Sequence, residues 1–167
     1  EVPNIIGKIA SGQNSKIDFV QGCLNIGHPM AVPVIREVLR KSDDTQDTVI
    51  DSPPGTSCSM IAAVRESDFV ILVTEPTPFG LNDLQIAVET IKKLSIPMGV
   101  IINRAGKGDE MVEKYCENND LKILMKIPYS KKIANLCSTG GNLLTGSPDI
   151  IKKFEDLWKF IFWTTGG

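Results

Sequence analysis

The chain has 167 residues, of which 42% are hydrophobic and 23% charged, with a formal net charge of −2. This size and apolar content leave room for one domain with a substantial core. The slightly acidic balance argues against a nucleic-acid binder, and no apolar run approaches the roughly 20 residues that span a bilayer. No signal peptide opens the chain, so we expect a cytoplasmic protein without stable membrane insertion.

The first part of the chain predicts short strands and then a helix. Residues 1–20 combine glycines with polar side chains, which is typical of short strands joined by turns, and we expect a hairpin. The stretch FVQGCLNIG (Phe19–Gly27) predicts another strand. AVPVIREVLRK (Ala31–Lys41) predicts a helix, with Pro33 near its first turn, where the missing N–H is harmless.

From residue 47 onward, short β-branched runs alternate with helical patterns. Four runs predict strands: TVID, FVILVTEP, GVIINR and KILMKIP. Three stretches predict helices: Met60–Glu66, Leu81–Leu94 and Asp109–Asn118. Strands that alternate with helices predict a mostly parallel sheet with helices on both faces, and we expect this α/β fold to form a single domain over residues 1–167.

Two of these strands end in polar residues. FVILVTE (Phe69–Glu75) is apolar on both alternations, so we expect both of its faces to be covered. The EPTP that closes it predicts a rigid turn, to which the residues themselves assign no chemistry. Asn103 and Arg104 end the next strand, and asparagine often takes such positions simply because it favours turns.

The last helical pattern, GSPDIIKKFEDLWKFIFW, begins with Ser147 as N-cap and Pro148 at the first helical position. Its predicted buried face consists of Ile150, Phe154, Leu157, Trp158 and Ile161. Phe160, Phe162 and Trp163 do not all fit on this face. They are either aromatic residues left over from a helix that packs on its own sheet, or an exposed patch used for self-association.

The stretch DTVIDSPPGTSCS predicts a ligand-binding loop. Asp51 ends an apolar strand, where a carboxylate can hold a Mg²⁺-bound water or orient a nucleophilic one. Pro53 and Pro54 stiffen the segment, Gly55 lets backbone N–H groups approach an anion, and Thr56 with the following serine can cap the next helix. The other interpretation is an aspartate-capped turn that only redirects the chain.

Four cysteines are scattered without C-x-x-C spacing, which makes a disulfide framework improbable: Cys23, Cys58, Cys116 and Cys137. Small packing residues are the expected role. Cys58 lies in the ligand-binding loop, where, in an iron–sulfur setting, a cysteine could help to ligate a cluster shared across a dimer or could report the redox state.

Four sequence blocks resemble the MinD/ParA/Mrp class of P-loop ATPases, in the family's order and at plausible spacings: VIDSPPGTSC, DFVILVTEPTPFGLNDL, GVIINR and LNIGHPMAVPVIREV. The closest resemblance is to MinD-like ATPases that carry an inserted ferredoxin domain. It implies that Asp51 lies close to magnesium and the attacking water. Pro53, Pro54 and Gly55 match the switch loop that senses the γ-phosphate, with Gly55 and Thr56 detecting the third phosphate.

The same resemblance implies a base-binding end. Asn103 matches the asparagine that recognises adenine, and Arg104 the neighbour that helps to frame the base. Pro128, in KIPYS, matches the loop that closes over the base.

The phosphate-binding loop of this class is missing from the sequence. GKIASGQNSK, NRAGKGDE and STGGN lack the glycine-rich spacing that ends in Lys-Ser or Lys-Thr. The cysteine clusters of a ferredoxin insert are absent as well, and Glu1 stands where such an insert would end. We therefore expect the C-terminal part of a longer ATPase, without the strand and helix of the P-loop.

The resemblance implies an ATP-binding and ATP-hydrolysing switch linked to iron–sulfur chemistry, with ATP and Mg²⁺ bound by the longer protein and clusters on the absent insert. The chain alone is expected to be inactive, because the clamp on the phosphates is gone. We expect it to self-associate and the longer protein to serve an iron–sulfur client. The alternative is a non-catalytic interaction or dimerisation module that keeps the ATPase fold.

Overall fold

The computed structural model describes residues 5–14, 16–42, 45–141 and 148–166. The chain divides into two compact units, residues 1–66 and residues 67–167. That residues 1–167 form one domain stays a prediction.

The first unit begins with the predicted hairpin. Strands β1 (Gly7–Gln13) and β2 (Asp18–Leu24) pair antiparallel, with Gly7 opposite Leu24. Helices α1 (Val32–Leu39) and α2 (Cys58–Val64) follow. Both helices of this unit are therefore confirmed, with ends shifted by a few residues. The hairpin is confirmed in part, because its second strand is the stretch FVQGCLNIG, which was expected to be a separate strand after a hairpin within residues 1–20.

A glycine of β2 allows the hairpin to pack closely on α1. A Cβ atom at Gly22 would lie 2.6 Å from a methyl of Val34 and 2.8 Å from a methyl of Val38. Real Cβ atoms do not approach so closely, so the hairpin needs glycine here to lie against the helix. The small core of this unit consists of Val34, Met60, Ala63 and Val64.

The second unit has a three-stranded parallel sheet in the order β3-β4-β5, and its described residues form four helices. The strands are β3 (Val70–Thr74), β4 (Met98–Ala105) and β5 (Ile123–Pro128). The helices are α3 (Pro78–Leu94), α4 (Asp109–Asn118), α5 (Lys131–Ser138) and α6 (Pro148–Thr165).

Helices cover both faces of this sheet, as the sequence predicts. On one face, α3 and α4 enclose a core made of Leu84, Val88, Val100, Ile102, Val112 and Cys116. On the other face, Leu157 of α6 packs on Ile101 and Met125. The two faces alternate along β4, which is why four successive residues of this strand are buried. The α/β fold class is confirmed.

Several boundaries differ from those predicted. Helix α3 starts three residues before Leu81, because Pro78 takes the first helical position and the Thr77 hydroxyl accepts a hydrogen bond from the Gly80 N–H at 3.0 Å. Helix α5 was not predicted. Ser130 caps it by accepting from the Ile133 N–H at 3.4 Å.

The prediction that β3 is covered on both faces is wrong. Leu72 packs with the core under α3 and α4, but Val73 is 63% exposed and Ile71 is 38% exposed. Both side chains lie on the face where α6 contacts β4 and β5 instead. One face of β3 is therefore open to solvent in the described part of the chain.

The predicted buried face of α6 is partly wrong. Leu157 is buried, and Phe160 packs edge-on against Phe69 at 6.2 Å between ring centroids, with Lys122 Nζ 3.7 Å from the centre of the Phe160 ring. Phe154 and Trp158 are exposed instead. Apolar residues occupy so much of the circumference of this helix that it can pack with Phe160 inward and still expose other apolar side chains. These exposed side chains form what we call the aromatic stripe of α6, which consists of Phe154, Trp158 and Phe162 together with Ile151. Ser147 lies outside the described residues.

The predicted strand before Asp51 is also absent. Residues 47–51 have neither strand nor helix, and Val49 is 83% exposed. A strand needs a neighbour to accept its backbone hydrogen bonds, and the described strands pair only within the hairpin and within β3-β4-β5. Asp51 therefore does not end a buried strand in this structure.

Candidate functional site

The loop after Asp51 is open and exposed. Asp51 makes no side-chain hydrogen bond or ion pair within the described part of the chain, and Pro54 and Gly55 are exposed. Gly55 has φ 91°, in the left-handed region that favours glycine, although a Cβ there would meet nothing within 4 Å. Glycine is thus required for the path of the backbone rather than for space.

The predicted cap of the next helix is only partly realised. Ser57 occupies the N-cap position of α2 with an extended backbone, but its side chain caps nothing, and Thr56 lies before it. Cys58 is the first residue of α2 and is exposed. Among the described residues, no group of three or more His, Cys, Asp or Glu side chains could hold a metal ion.

In the second unit, the carboxyl end of β3 is held firmly in place. The buried Thr74 hydroxyl donates to the Gly80 carbonyl at 2.9 Å, and the Thr77 N–H donates to the Glu75 carbonyl at 2.8 Å. A Cβ at Gly80 would collide with that same Glu75 carbonyl oxygen. The start of α3 therefore fixes the backbone of Glu75.

The end of β4 contains a bulge. Ile102 lies opposite Lys126 and Ala105 lies opposite Pro128, so β4 takes three steps where β5 takes two. Arg104, inside this bulge, has φ 52°. A non-glycine residue in this left-handed conformation costs about 1–2 kcal/mol. Bulges and strained backbone of this kind cluster next to functional sites, where they re-aim a side chain.

An ion pair links the ends of β3 and β4. Arg104 Nη1 lies 3.3 Å from Glu75 Oε2, and the two side chains are 62% and 40% exposed. Exposed pairs contribute about 0.2–1 kcal/mol, which is less than the backbone strain at Arg104. The pair therefore does not explain the strain as a gain in stability.

The residues that the sequence assigns to a base-binding end come together here. Asn103 is half-buried and makes no side-chain hydrogen bond within the described residues. Pro128 lies opposite Ala105, and the Tyr129 N–H donates to the Ala105 carbonyl at 3.1 Å. Asn103, Arg104 and Pro128 thus lie at the carboxyl ends of two paired strands, where parallel sheets bind ligands.

A charge cluster beside this end was not predicted from the sequence. Lys126 Nζ pairs with Asp109 at 3.2 Å and with Glu113. The Gly106 N–H, which donates to Asp109 Oδ1 at 2.8 Å, lowers the pKa of this carboxyl, and Lys126 lowers it further. The hydrogen bond to Glu113 raises the pKa of Lys126. The only sequence signal was two acids four residues apart on one helix.

The chain is similar in sequence to several curated proteins, although no family model matches it. It is 30% identical over 162 residues to the uncharacterised protein MJ0579 of Methanocaldococcus jannaschii, covering 95% of this chain and 56% of that protein. A second uncharacterised protein of that organism, MJ0578, is 26% identical, with 86% and 51% covered. A cytosolic Fe–S cluster assembly factor, the NUBP1 homologue of Caenorhabditis briggsae, is 26% identical, with 74% and 48% covered.

Solved structures of two ATPase-type proteins have a similar fold. The cell division ATPase MinD of Pyrococcus furiosus has a TM-score of 0.60 at 24% identity, covering 75% of this chain and 57% of that one. A plasmid partition protein of Borrelia burgdorferi B31, bound to AMPPNP, has a TM-score of 0.58 at 20% identity, with 78% and 55% covered. The predicted resemblance to MinD/ParA-class ATPases is confirmed.

The similarity to the MinD/ParA class extends over part of the relatives only. The chain spans about half the length of the curated relatives it matches. No helix among the described residues is both long enough and apolar enough to cross a membrane.

Proposed function

We propose that this chain is the C-terminal part of an ATP-binding and ATP-hydrolysing switch protein. The observation that carries the proposal is the bulge of β4. Asn103, whose side chain has no hydrogen-bond partner among the described residues, and the strained Arg104 lie there at the carboxyl end of a MinD-like sheet. The relatives are about twice as long, and the sequence holds no phosphate-binding loop, so the phosphate-binding lysines come from a segment outside this chain.

In this proposal, the loop after Asp51 acts at the phosphates. Asp51 is exposed and makes no hydrogen bond or ion pair among the described residues. Because carboxylate oxygens interact well with hydrated Mg²⁺, its side chain is suited to bind a magnesium-bound water. When bound, the ion neutralises charge on the phosphates. Pro53 and Pro54 limit the paths of the loop, and the backbone at Gly55 and Thr56 detects the third phosphate.

In the same proposal, the residues at the carboxyl ends of β4 and β5 bind the base. Asn103 offers an amide whose donor and acceptor atoms are not engaged by any described residue, which suits the edge of adenine. Arg104 frames the base, and Pro128 closes over it. Their position within the fold supports these roles, since ligands of open parallel sheets bind beyond the carboxyl ends of the strands.

We further propose a link to iron–sulfur chemistry in the cytoplasm, with an iron–sulfur client. Its support is the resemblance to a relative named as a cytosolic Fe–S cluster assembly factor. Cys58 does not fit a cluster site by itself, because clusters are held by about four ligands and the described residues offer no such group around it. As a cluster ligand, Cys58 would need cysteines from another subunit.

Self-association is part of the same proposal. The aromatic stripe of α6 and the open face of β3, with Ile71 and Val73, expose apolar side chains that a second copy could cover. A dimer would also provide the second subunit that closes around nucleotide.

Calorimetric titration with ATP and Mg²⁺ tests this function. The 167-residue chain should show no binding, whereas the complete gene product that contains it should bind and hydrolyse ATP. In the complete protein, Asp51→Ala should lower the hydrolysis rate at least about a hundredfold, while Asp47→Ala, an exposed carboxylate nearby, should leave it unchanged.

Two results would contradict the proposal. Micromolar ATP binding by the chain alone, abolished by Asp51→Ala, would mean that these residues build a phosphate site without a P-loop. A complete protein that binds no ATP would remove the switch function altogether.

The second candidate is a non-catalytic interaction module, and the aromatic stripe of α6 favours it. This function predicts a stable dimer or complex that is independent of ATP and of Asp51. Sedimentation of the complete protein with and without ATP distinguishes the two candidates, because only the switch changes its association with nucleotide.

A further inference from the structure

We propose that Glu75 is a positioning residue for nucleotide recognition: it holds the Arg104 guanidinium in the orientation that meets the base. This inference rests on the proposed function and adds to it a residue to which the sequence assigned no chemistry. It stands on the ion pair of 3.3 Å between Glu75 and Arg104 and on the way in which both partners are fixed.

Glu75 is rigid because its backbone is held from two sides. Its carbonyl accepts the Thr77 N–H at 2.8 Å and lies against Gly80, where a Cβ would collide with it. Thr74, directly before it, is buried and bound to the same turn of α3. The carboxylate therefore extends from a fixed point on the edge of the sheet.

Arg104 is fixed at its backbone by the bulge of β4. The next residue, Ala105, is tied to β5 by the Tyr129 N–H at 3.1 Å. The loop that follows packs on the turn after β3, since a Cβ at Gly108 would lie 2.6 Å from the Pro76 carbonyl oxygen. The two strand ends that bear Glu75 and Arg104 are thus held together by backbone contacts, independently of their ion pair.

The side chain of Arg104 is 62% exposed, so the backbone alone does not fix its orientation. An exposed arginine has many rotamers, and ordering it on binding reduces affinity. The Glu75 carboxylate pairs with Nη1 of the Arg104 guanidinium before the ligand binds. Because the guanidinium is planar and has five N–H donors, its face and its other donors stay available to an aromatic base. Glu75 therefore acts on recognition of the base and not on the phosphates.

The test compares two probes on the complete gene product: ATP, and inorganic tripolyphosphate, which has the phosphates but no base. The variants are Glu75→Gln, Arg104→Gln and the double variant. Glu37→Gln is the matched control, because Glu37 forms an exposed pair with Arg40 at 3.6 Å on α1. Calorimetry gives each Kd, and urea unfolding checks that each variant is folded.

We expect Glu75→Gln to raise the Kd for ATP about twofold to fivefold, in line with the strength of an exposed ion pair, and to leave the Kd for tripolyphosphate unchanged. In the Arg104→Gln background, Glu75→Gln should have no further effect, because its role acts through Arg104. Glu75→Asp, which keeps the charge, should recover part of the loss. Glu37→Gln should change neither Kd.

Any of four results would overturn the inference. Equal weakening of both probes would mean that Glu75 supports the fold or the phosphate site. Additive effects of the two variants would mean that Glu75 does not act through Arg104. If the wild-type protein binds ATP and Glu75→Gln leaves the Kd for ATP unchanged, the role of Glu75 is refuted and the proposed function stands. If the wild-type protein binds no ATP, the proposed function is refuted, and this inference with it.

Discussion

The two units of the chain place their candidate residues on very different supports. In residues 67–167, Asn103 and Arg104 end a strand of which four residues are buried between helices on both faces. In residues 1–66, Asp51 follows a segment with no strand or helix and with exposed Val49. Asn103 and Arg104 are therefore preorganised by a packed sheet, whereas no strand or helix supports Asp51 in the described residues directly before it.

Amide hydrogen exchange should show the largest difference between the two supports. The amides of residues 98–102 should exchange at least about a thousandfold more slowly than those of residues 47–51, because only the former are hydrogen-bonded inside a packed sheet. Comparable protection in both segments would mean that residues 47–51 pair with another strand in solution.

A substitution in the packed sheet should reduce the free energy of unfolding far more than one in the exposed segment. Ile102→Ala removes a side chain with no exposed surface and should reduce the free energy of unfolding by about 2–5 kcal/mol. Val49→Ala, the matched control in the exposed segment, should change it by less than about 0.5 kcal/mol. Urea unfolding measures both, and a large effect of Val49→Ala would show that this segment is buried in solution.

A third comparison concerns two glycines. Gly80→Ala places a Cβ against the Glu75 carbonyl and should destabilise the protein by about 1–3 kcal/mol. Gly12→Ala in β1 meets nothing within 4 Å and should be neutral or slightly stabilising. If both variants unfold alike in urea, the tight packing of the turn after β3 is wrong.

The charge cluster should give the smallest effect, and one that depends on pH. Asp109→Asn should reduce the free energy of unfolding by about 1 kcal/mol at neutral pH. Since folding lowers the pKa of Asp109 below its ordinary value of 3.8, this stabilisation is present above that value and is lost as the pH falls through the lowered pKa. Acid unfolding curves of the two proteins should therefore converge at low pH. If the two curves stay apart at low pH, the ionised Asp109 carboxylate is not the source of the lost stability.

The sequence predicted the second unit better than the first for a physical reason. The 3.6-residue stripe of α3 and the apolar run of β4 are local patterns, and each matches the side of the element that is buried. The β-branched run before Asp51 is an equally good strand pattern, but forming a strand also requires a partner, which the run itself does not specify. Residues 47–51 therefore have strand propensity without a strand.

Other features had no sequence signal. Nothing marks Arg104 as left-handed, because glycine is the usual residue at such a position in a bulge. The apolar residues of α6 extend too far around the helix to tell whether Trp158 or Phe160 faces inward. The roles of Asn103 and Pro128 came from resemblance alone, and their meeting at one strand end became visible only through the register of β4 and β5.

The aromatic stripe of α6 has a consequence for handling the protein. Kosmotropic salts such as ammonium sulfate strengthen the association of exposed apolar surfaces, whereas low salt leaves net charge to keep molecules apart. With a net charge of only −2, that electrostatic repulsion is weak. The protein should therefore bind to a hydrophobic-interaction resin and precipitate at low concentrations of ammonium sulfate. A single helix would then determine the solubility of the whole protein in salt.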